Sequence, residues 1–153
     1  MLGPVKCYGG LVSQNVENAW QYSKVYKEHL QPDGQPNASW YEWRDRGFAQ
    51  RRADRYPMGK GAIPEYSWWD GKRFTYIEAR QEIYIPIYAA AVRNAPAFWK
   101  LRKLYETQKN VTLWDFDGYD HRNLGMSYED VILSETKKMG HGFVLAMMLE
   151  GLI

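Results

Sequence analysis

Glu17, Gln21 and Lys24 stand at positions i, i+4 and i+7. On a helix that spacing lines the three side chains along one face, with Trp20 bordering them. A carboxylate, an amide and an amine held against an aromatic ring could stabilise a developing cation, move a proton or present a nucleophilic nitrogen. A solvent-facing polar stripe that supports its helix by about 0.2–0.5 kcal/mol per pair accounts for the same spacing.

A second cluster is Trp114-Asp115-Phe116-Asp117-Gly118-Tyr119-Asp120-His121. Carboxylates two apart on an extended chain project from one face. Asp115 and Asp117 have that spacing, and with Asp120 the three carboxylates could activate water, stabilise positive charge or hold a cation. The residues beyond Asp120 lack the acidic positions and closing Glu of a calcium loop, and turn and capping duty explains the same aspartates. A third cluster is Trp68-Trp69, followed by Tyr76, Glu78 and Arg80. Paired tryptophans offer a platform for a flat base, worth roughly 1–3 kcal/mol per base stacked; inward packing of one and turn coverage by the other is the alternative. His29, His121 and His141 have no metal-ligand spacing. HExxH, paired CxxC, GxSxG, P-loop and GxGxxG signatures are absent.

These residues need elements to position them. The pattern predicts a short strand at Val5 to Tyr8. A helix follows from Ser13 or Asn15 to about Leu30, stopped by Pro32 and Gly34. Ser39 with Glu42 fits a capping box opening a helix that carries Arg44, Arg46, Arg51, Arg52 and Arg55. Asp70-Gly71 between aromatic and β-branched residues marks a hairpin, Tyr66 to Trp69 paired with Lys72 to Tyr76. From Ile77 to about Arg93 the period is helical, with Pro86 kinking or dividing the helix. Asn94 is placed to cap a helix with Pro96 in its first turn, ending near Gln108. Val111 to Phe116 reads as a strand, Ser127 and Asp130 as a capping box, and Met139 to Leu149 as an apolar core helix. Helices dominate, and the order does not repeat as β-α-β units, so the expected class is α+β: one mostly helical domain over residues 1–153 with a few short strands.

Composition bounds the function classes. At 153 residues, with 45% hydrophobic and 25% charged, the chain can bury a core. A net charge of +2, mixed along the chain, gives no general case for a nucleic-acid or membrane surface. The arginine cluster is interrupted by Asp45 and Asp54, and serves as well as a solvated helix face as an anion patch. Cys7 is the single cysteine, which suits a reducing cytoplasm. Met1 to Gly10 lacks the apolar run of a leader, and Phe143 to Leu149 is far short of the roughly 20 residues of a membrane helix. With 12 Tyr, 7 Trp and 5 Phe, the aromatic content exceeds what packing a small domain requires and points to a ligand surface, a Tyr-rich core being the alternative.

The stretch Val16 to Tyr26 resembles the E-H-x-x-Q-x-x-K-F/Y helix of the NADAR superfamily of YbiA-like N-glycosidases, with Glu17, Gln21 and Lys24 on its motif positions, Tyr26 as the following aromatic and Asn18 where the family has His. The region of Trp68 and Trp69 is similar to a Trp-bearing middle segment. Leu113 to Gly125, ending in Asn123-Leu124-Gly125, is similar to a late acidic strand-loop, although Tyr119-Asp120-His121 stands where the family has Trp-Gly. The likeness also extends to small phage-encoded proteins. The resemblance implies cleavage of a base–ribose bond in an ADP-ribosylated or related nucleotide conjugate, including ADP-ribosylated nucleic acid. In phage counter-defence such an activity would reverse a host modification in the host cytoplasm. It implies Glu17 as the main catalytic carboxylate, Lys24 as the group that contacts or captures the sugar, and Asp117 or Asp120 as the group that orients ribose or activates water. Trp20, Gln21, Trp68, Trp69, Arg80 and Asn123 would contact substrate, without metal or cofactor. A non-catalytic nucleotide- or signal-molecule-binding protein is the alternative.

Overall fold

The computed structural model describes residues 2–108 and 110–153. They divide into two compact units, Met1–Ile87 and Tyr88–Ile153. The class is α+β: helices joined to two small antiparallel sheets. No helix among the described residues is long and apolar enough to cross a membrane.

In the first unit β1 (Val5–Lys6) pairs with β2 (Val12–Ser13). Helix α1 (Val16–Gln21) starts at Asn15, whose side chain accepts the Asn18 N–H. It stops after six residues rather than running to Leu30. The Ser23 hydroxyl donates to the Trp20 carbonyl at 2.8 Å, occupying a C-terminal acceptor. The chain then turns into β3 (Lys24–Val25) and a 3-10 turn, Lys27–His29. Lys24 is thus a strand residue, not the third member of a helical stripe. What takes it out of the helix is distant in sequence: β3 pairs with β4 (Tyr66–Trp69), Lys24 opposite Ser67 and Val25 opposite Tyr66.

Helix α2 (Ala38–Ala49) is capped by Asn37, which accepts the Trp40 N–H at 3.0 Å. Ser39, expected to cap, instead donates its hydroxyl to Asn37 Oδ1 at 2.6 Å. Because α2 ends at Ala49, Arg51, Arg52 and Arg55 lie beyond it. Gly47 leaves room for the Tyr22 ring, which a Cβ at that position would strike.

The hairpin forms as its turn residues dictate. Asp70 at φ 50° and Gly71 at φ 72° supply the two positive values that a tight two-residue turn needs. They join β4 to β5 (Lys72–Phe74) with Ser67 opposite Phe74 and Trp69 opposite Lys72. Strand alternation splits the sheet's side chains between two faces. Val25, Tyr66 and Trp68 share one face, where Val25 and Tyr66 form a buried cluster with Trp40, and Leu30, Trp43 and Trp68 pack against it. Lys24, Ser67, Trp69 and Phe74 share the other.

Helix α3 (Tyr76–Ala79) opens on a capping box between Thr75 and Glu78. It continues through a π-helical stretch, Arg80–Tyr84, into α4 (Ile85–Arg93). The widened stretch lets the Ile85 N–H reach the Arg80 carbonyl just ahead of Pro86, which has no N–H to give. Pro86 therefore divides the helix by a π bulge.

In the second unit α5 runs Pro96–Gln108. Asn94 does not cap it; its amide donates back to the Ala90 carbonyl at 3.1 Å, closing the end of α4. The expected strand over Val111 to Phe116 is absent. Its alternation is real, half-buried Val111, Leu113 and Asp115 interleaving with exposed Thr112, Trp114 and Phe116. Among the described residues, however, no strand pairs with it, and period two without a partner gives an extended segment rather than a ladder. Helix α6 (Tyr128–Leu133) has the Ser127–Asp130 capping box. Helix α7 (His141–Leu149) buries Phe143, Val144, Met147, Met148 and Leu149.

Candidate active site

The first unit brings Glu17, Trp20, Gln21 and Lys24 together across the α1–β3 corner. The Gln21 amide nitrogen donates to Glu17 Oε1 at 2.8 Å, and Lys24 Nζ donates to Gln21 Oε1 at 2.6 Å. The glutamine has one workable orientation here, because a flipped amide would turn its NH2 toward the ammonium. The Lys24 ammonium also lies 5.0 Å from the centre of the Trp20 ring. Trp20 in turn contacts Tyr84 and Tyr76, with ring centres 5.2 and 6.4 Å away.

Burial disfavours the charged amine, and the neighbouring Glu17 carboxylate only partly opposes this, so the Lys24 pKa falls to about 8. The backbone is fixed as firmly as the side chain: the buried Trp40 indole donates to the Lys24 carbonyl at 2.9 Å. Arg80 is buried on the π-helical stretch, its guanidinium 4.7 Å from the centre of the Tyr76 ring.

The tryptophan pair does not form a joint platform. Trp68 packs beside Tyr66 at 6.3 Å on the clustered sheet face. Trp69, on the Lys24 face, meets Tyr8 edge-on at 4.7 Å and Phe48 at 6.3 Å. A groove of about 540 Å³ is lined by Lys72, Arg73, Phe74, Glu78 and Glu82. Phe74 shares the Lys24 face two strands away, roughly 10 Å at ordinary strand spacing. Glu78 is committed to the Thr75 backbone and hydroxyl, which hold its carboxyl below the usual range.

Asn18, next to Glu17, is structural. Its amide nitrogen lies 3.0 Å from the carbonyl oxygens of Gly47, Gln50 and Arg52, and its oxygen accepts the Asp54 N–H at 2.8 Å. Asn15 adds bonds to the Gln50 and Arg51 carbonyls. The two asparagines thus tie α1 to the end of α2 and fix the face that Glu17 presents. The Asn-x-x-Asn spacing that spans the start of α1, Asn15 capping it and Asn18 in its first turn, was the signal for this; the aromatic neighbours Tyr76 and Tyr84 gave none, since their approach to Trp20 depends on the helix after the hairpin.

In the second unit the acidic segment is locally occupied. Asp115 accepts the Gly142 N–H at 3.0 Å at the start of α7, where backbone N–H groups favour an anion. Gly140 and Gly142 make room for that carboxylate. Asp117 lies 3.6 Å from Lys138 Nζ. Asp120 accepts the Asn123 N–H at 3.1 Å, closing the loop as an Asx turn. His121 packs between Tyr128 at 4.7 Å and Phe143 at 5.6 Å. Among the described residues no group of three or more His, Cys, Asp or Glu is placed to hold a metal ion.

Comparison with protein-family models, with curated proteins and with solved structures found no match to this chain.

Proposed function

We propose that the chain is an N-glycosidase of the NADAR type, cleaving a base–ribose bond in an ADP-ribosylated or related nucleotide conjugate, with Glu17 and Lys24 as its working pair. The observation that carries the reading is the depressed Lys24 amine, linked through Gln21 to Glu17 and set against Trp20. At pH 7 a pKa of about 8 leaves roughly one amine in ten neutral, against about one in three thousand for an ordinary lysine. A neutral amine is a nucleophile.

As the C1′–O4′ bond of the base-linked ribose breaks, a proton from water passes to O4′ and the base nitrogen's lone pair forms an iminium at C1′, which the Glu17 side chain faces and stabilises. Lys24 nitrogen adds to C1′, a proton passes to the base nitrogen, and the C1′–base bond breaks. Water then adds to the Lys24 imine, releasing the sugar aldehyde and regenerating the amine. Asp117 and Asp120 have no part in this sequence, since each has a local partner of its own.

The test is incubation with ADP-ribosylated guanosine and chromatography of the products. Wild type should release ADP-ribose, and Glu17→Gln and Lys24→Met should not, with unchanged circular dichroism. A ligand-dependent rise in melting temperature without products would favour a nucleotide-binding protein instead. Neither turnover nor a shift would remove the reading.

A further inference from the structure

The geometry points to the outward side of α5, with the end of α4, as a surface that binds single-stranded nucleic acid without reading its sequence. None of its residues belongs to the Glu17–Gln21–Lys24 site. Charge is concentrated there. Of the chain's 20 basic and 18 acidic residues, four basic (Arg93, Lys100, Arg102, Lys103) and one acidic (Glu106) fall within residues 93–108. The stretch is thus net +3 in a chain that is net −1 elsewhere. Arg93, Lys100 and Lys103 are exposed, and their side chains have no partner among the described residues. Glu106 is already paired with Arg102 at 3.1 Å.

An aromatic ring stands among these cations. Trp99 is 53% exposed, yet it is held in place. Its indole N–H donates to the Arg93 carbonyl at 3.0 Å, the Arg102 guanidinium lies 5.8 Å from its centre and Phe98 meets it edge-on at 5.3 Å. A fixed tryptophan left half open is a platform on which a base can stack, and the cations around it suit the phosphates on either side of that base. The burial pattern selects the partner. Phe98 is buried and Leu101 and Tyr105 are half-buried, at the i, i+3, i+7 spacing of one helix face, so the apolar stripe of α5 is turned into the fold. A helix that lies on lipid keeps that stripe outward. In a duplex the bases already stack on one another, so an exposed ring gains a partner only from an unpaired strand.

Anisotropy of a fluorescein-labelled thymidylate oligomer of about 15 nucleotides, titrated with the full chain, tests this. Binding should saturate with a dissociation constant of about 1–100 μM near 0.1 M salt. The logarithm of affinity should fall with that of salt at a slope of about −2, the value for three phosphates on a single strand. Trp99→Leu should weaken binding by about 5–150-fold, the loss of one stacked base, and leave binding of a duplex of the same length unchanged. The double variant Lys100→Gln, Lys103→Gln should reduce the slope to about −0.7. No binding by wild type, or binding that neither variant alters, overturns the proposal. So does binding to phosphatidylserine vesicles by a protein that ignores the oligomer. Acetylation of the unmodified protein gives a second reading that no folding defect can confuse. The oligomer should slow modification of Lys100 and Lys103 several-fold and leave the exposed Lys6 as reactive as before; equal protection of all three also overturns it. These measurements read binding without turnover, so their outcome is separate from that of the glycosidase assay.

Discussion

Replacing Lys24 by methionine should raise stability at neutral pH relative to its value at high pH, because the native lysine is held where its charge is poorly solvated. The native pKa is about 8, against about 10.5 when unfolded. Between those values the unfolded chain binds the extra proton, so wild-type stability attributable to this group rises with pH. Below pH 8 the full penalty applies, and above about 10.5 it is gone. A displacement of this size corresponds to roughly 3 kcal/mol, of which about 2.5 kcal/mol is recovered between pH 7 and pH 10. Methionine keeps the length of the side chain and removes the titration. It also strands the buried Gln21 Oε1, which now accepts from Lys24, at a cost of about 1–3 kcal/mol. That cost does not change with pH and cancels when the two proteins' stability difference is followed along the scale. Urea denaturation of both proteins at pH 7, 8, 9 and 10 measures it. The difference should close in favour of wild type by about 2–3 kcal/mol across that span; a difference flat to within about 0.5 kcal/mol would show that Lys24 titrates as an ordinary lysine and would remove the basis of its proposed role.

Glu17→Gln should lower the Lys24 pKa further, since the lost carboxylate is the group that raises it. Turnover should nevertheless fall by about 100-fold or more, the usual scale for losing a charge-stabilising group; NMR of ¹³C-methylated lysines reports the first change and product release the second. Asn18→Ala should destabilise by roughly 2–4 kcal/mol, because buried groups at the end of α2 lose their partner, read by chemical denaturation. Gly47→Ala should cost about 1–3 kcal/mol by displacing the Tyr22 ring, outweighing the roughly 1 kcal/mol that alanine brings to a helix; a stabilised variant would show that the ring moves freely. Asp120→Ala should leave turnover within about twofold and cost no more than about 1 kcal/mol, the worth of a surface turn bond, so a large kinetic loss would restore this aspartate to the chemistry.

What the sequence discloses depends on how local the cause is. The hairpin at Asp70-Gly71 and the cap at Ser127 and Asp130 are set by adjacent residues, and both form as read. The length of α1 is not. Nothing between Tyr22 and Leu30 breaks a helix by composition, and the chain leaves it because Lys24 and Val25 find a ladder partner some forty positions away in β4. The Glu17–Gln21–Lys24 link was legible, but for a reason that differs in part: the helix supplies its first two members and a strand the third. Asn37 displaces Ser39 as a cap because its side chain also reaches the Glu28 carbonyl, a contact that local pattern does not contain. Over Val111 to Phe116 the period was read correctly and the ladder was not, since alternation cannot say whether a neighbouring strand exists.

Trapping of the covalent intermediate bears most directly on the role given to Lys24. ADP-ribosylated guanosine is incubated with the protein and cyanoborohydride, then digested and mapped by mass spectrometry. A reduced ribosyl adduct on the peptide bearing Lys24, absent from Glu17→Gln and growing in with pH through about 8, is the predicted result. Release of free base with no adduct at Lys24, or an adduct spread evenly over surface lysines, would contradict the account.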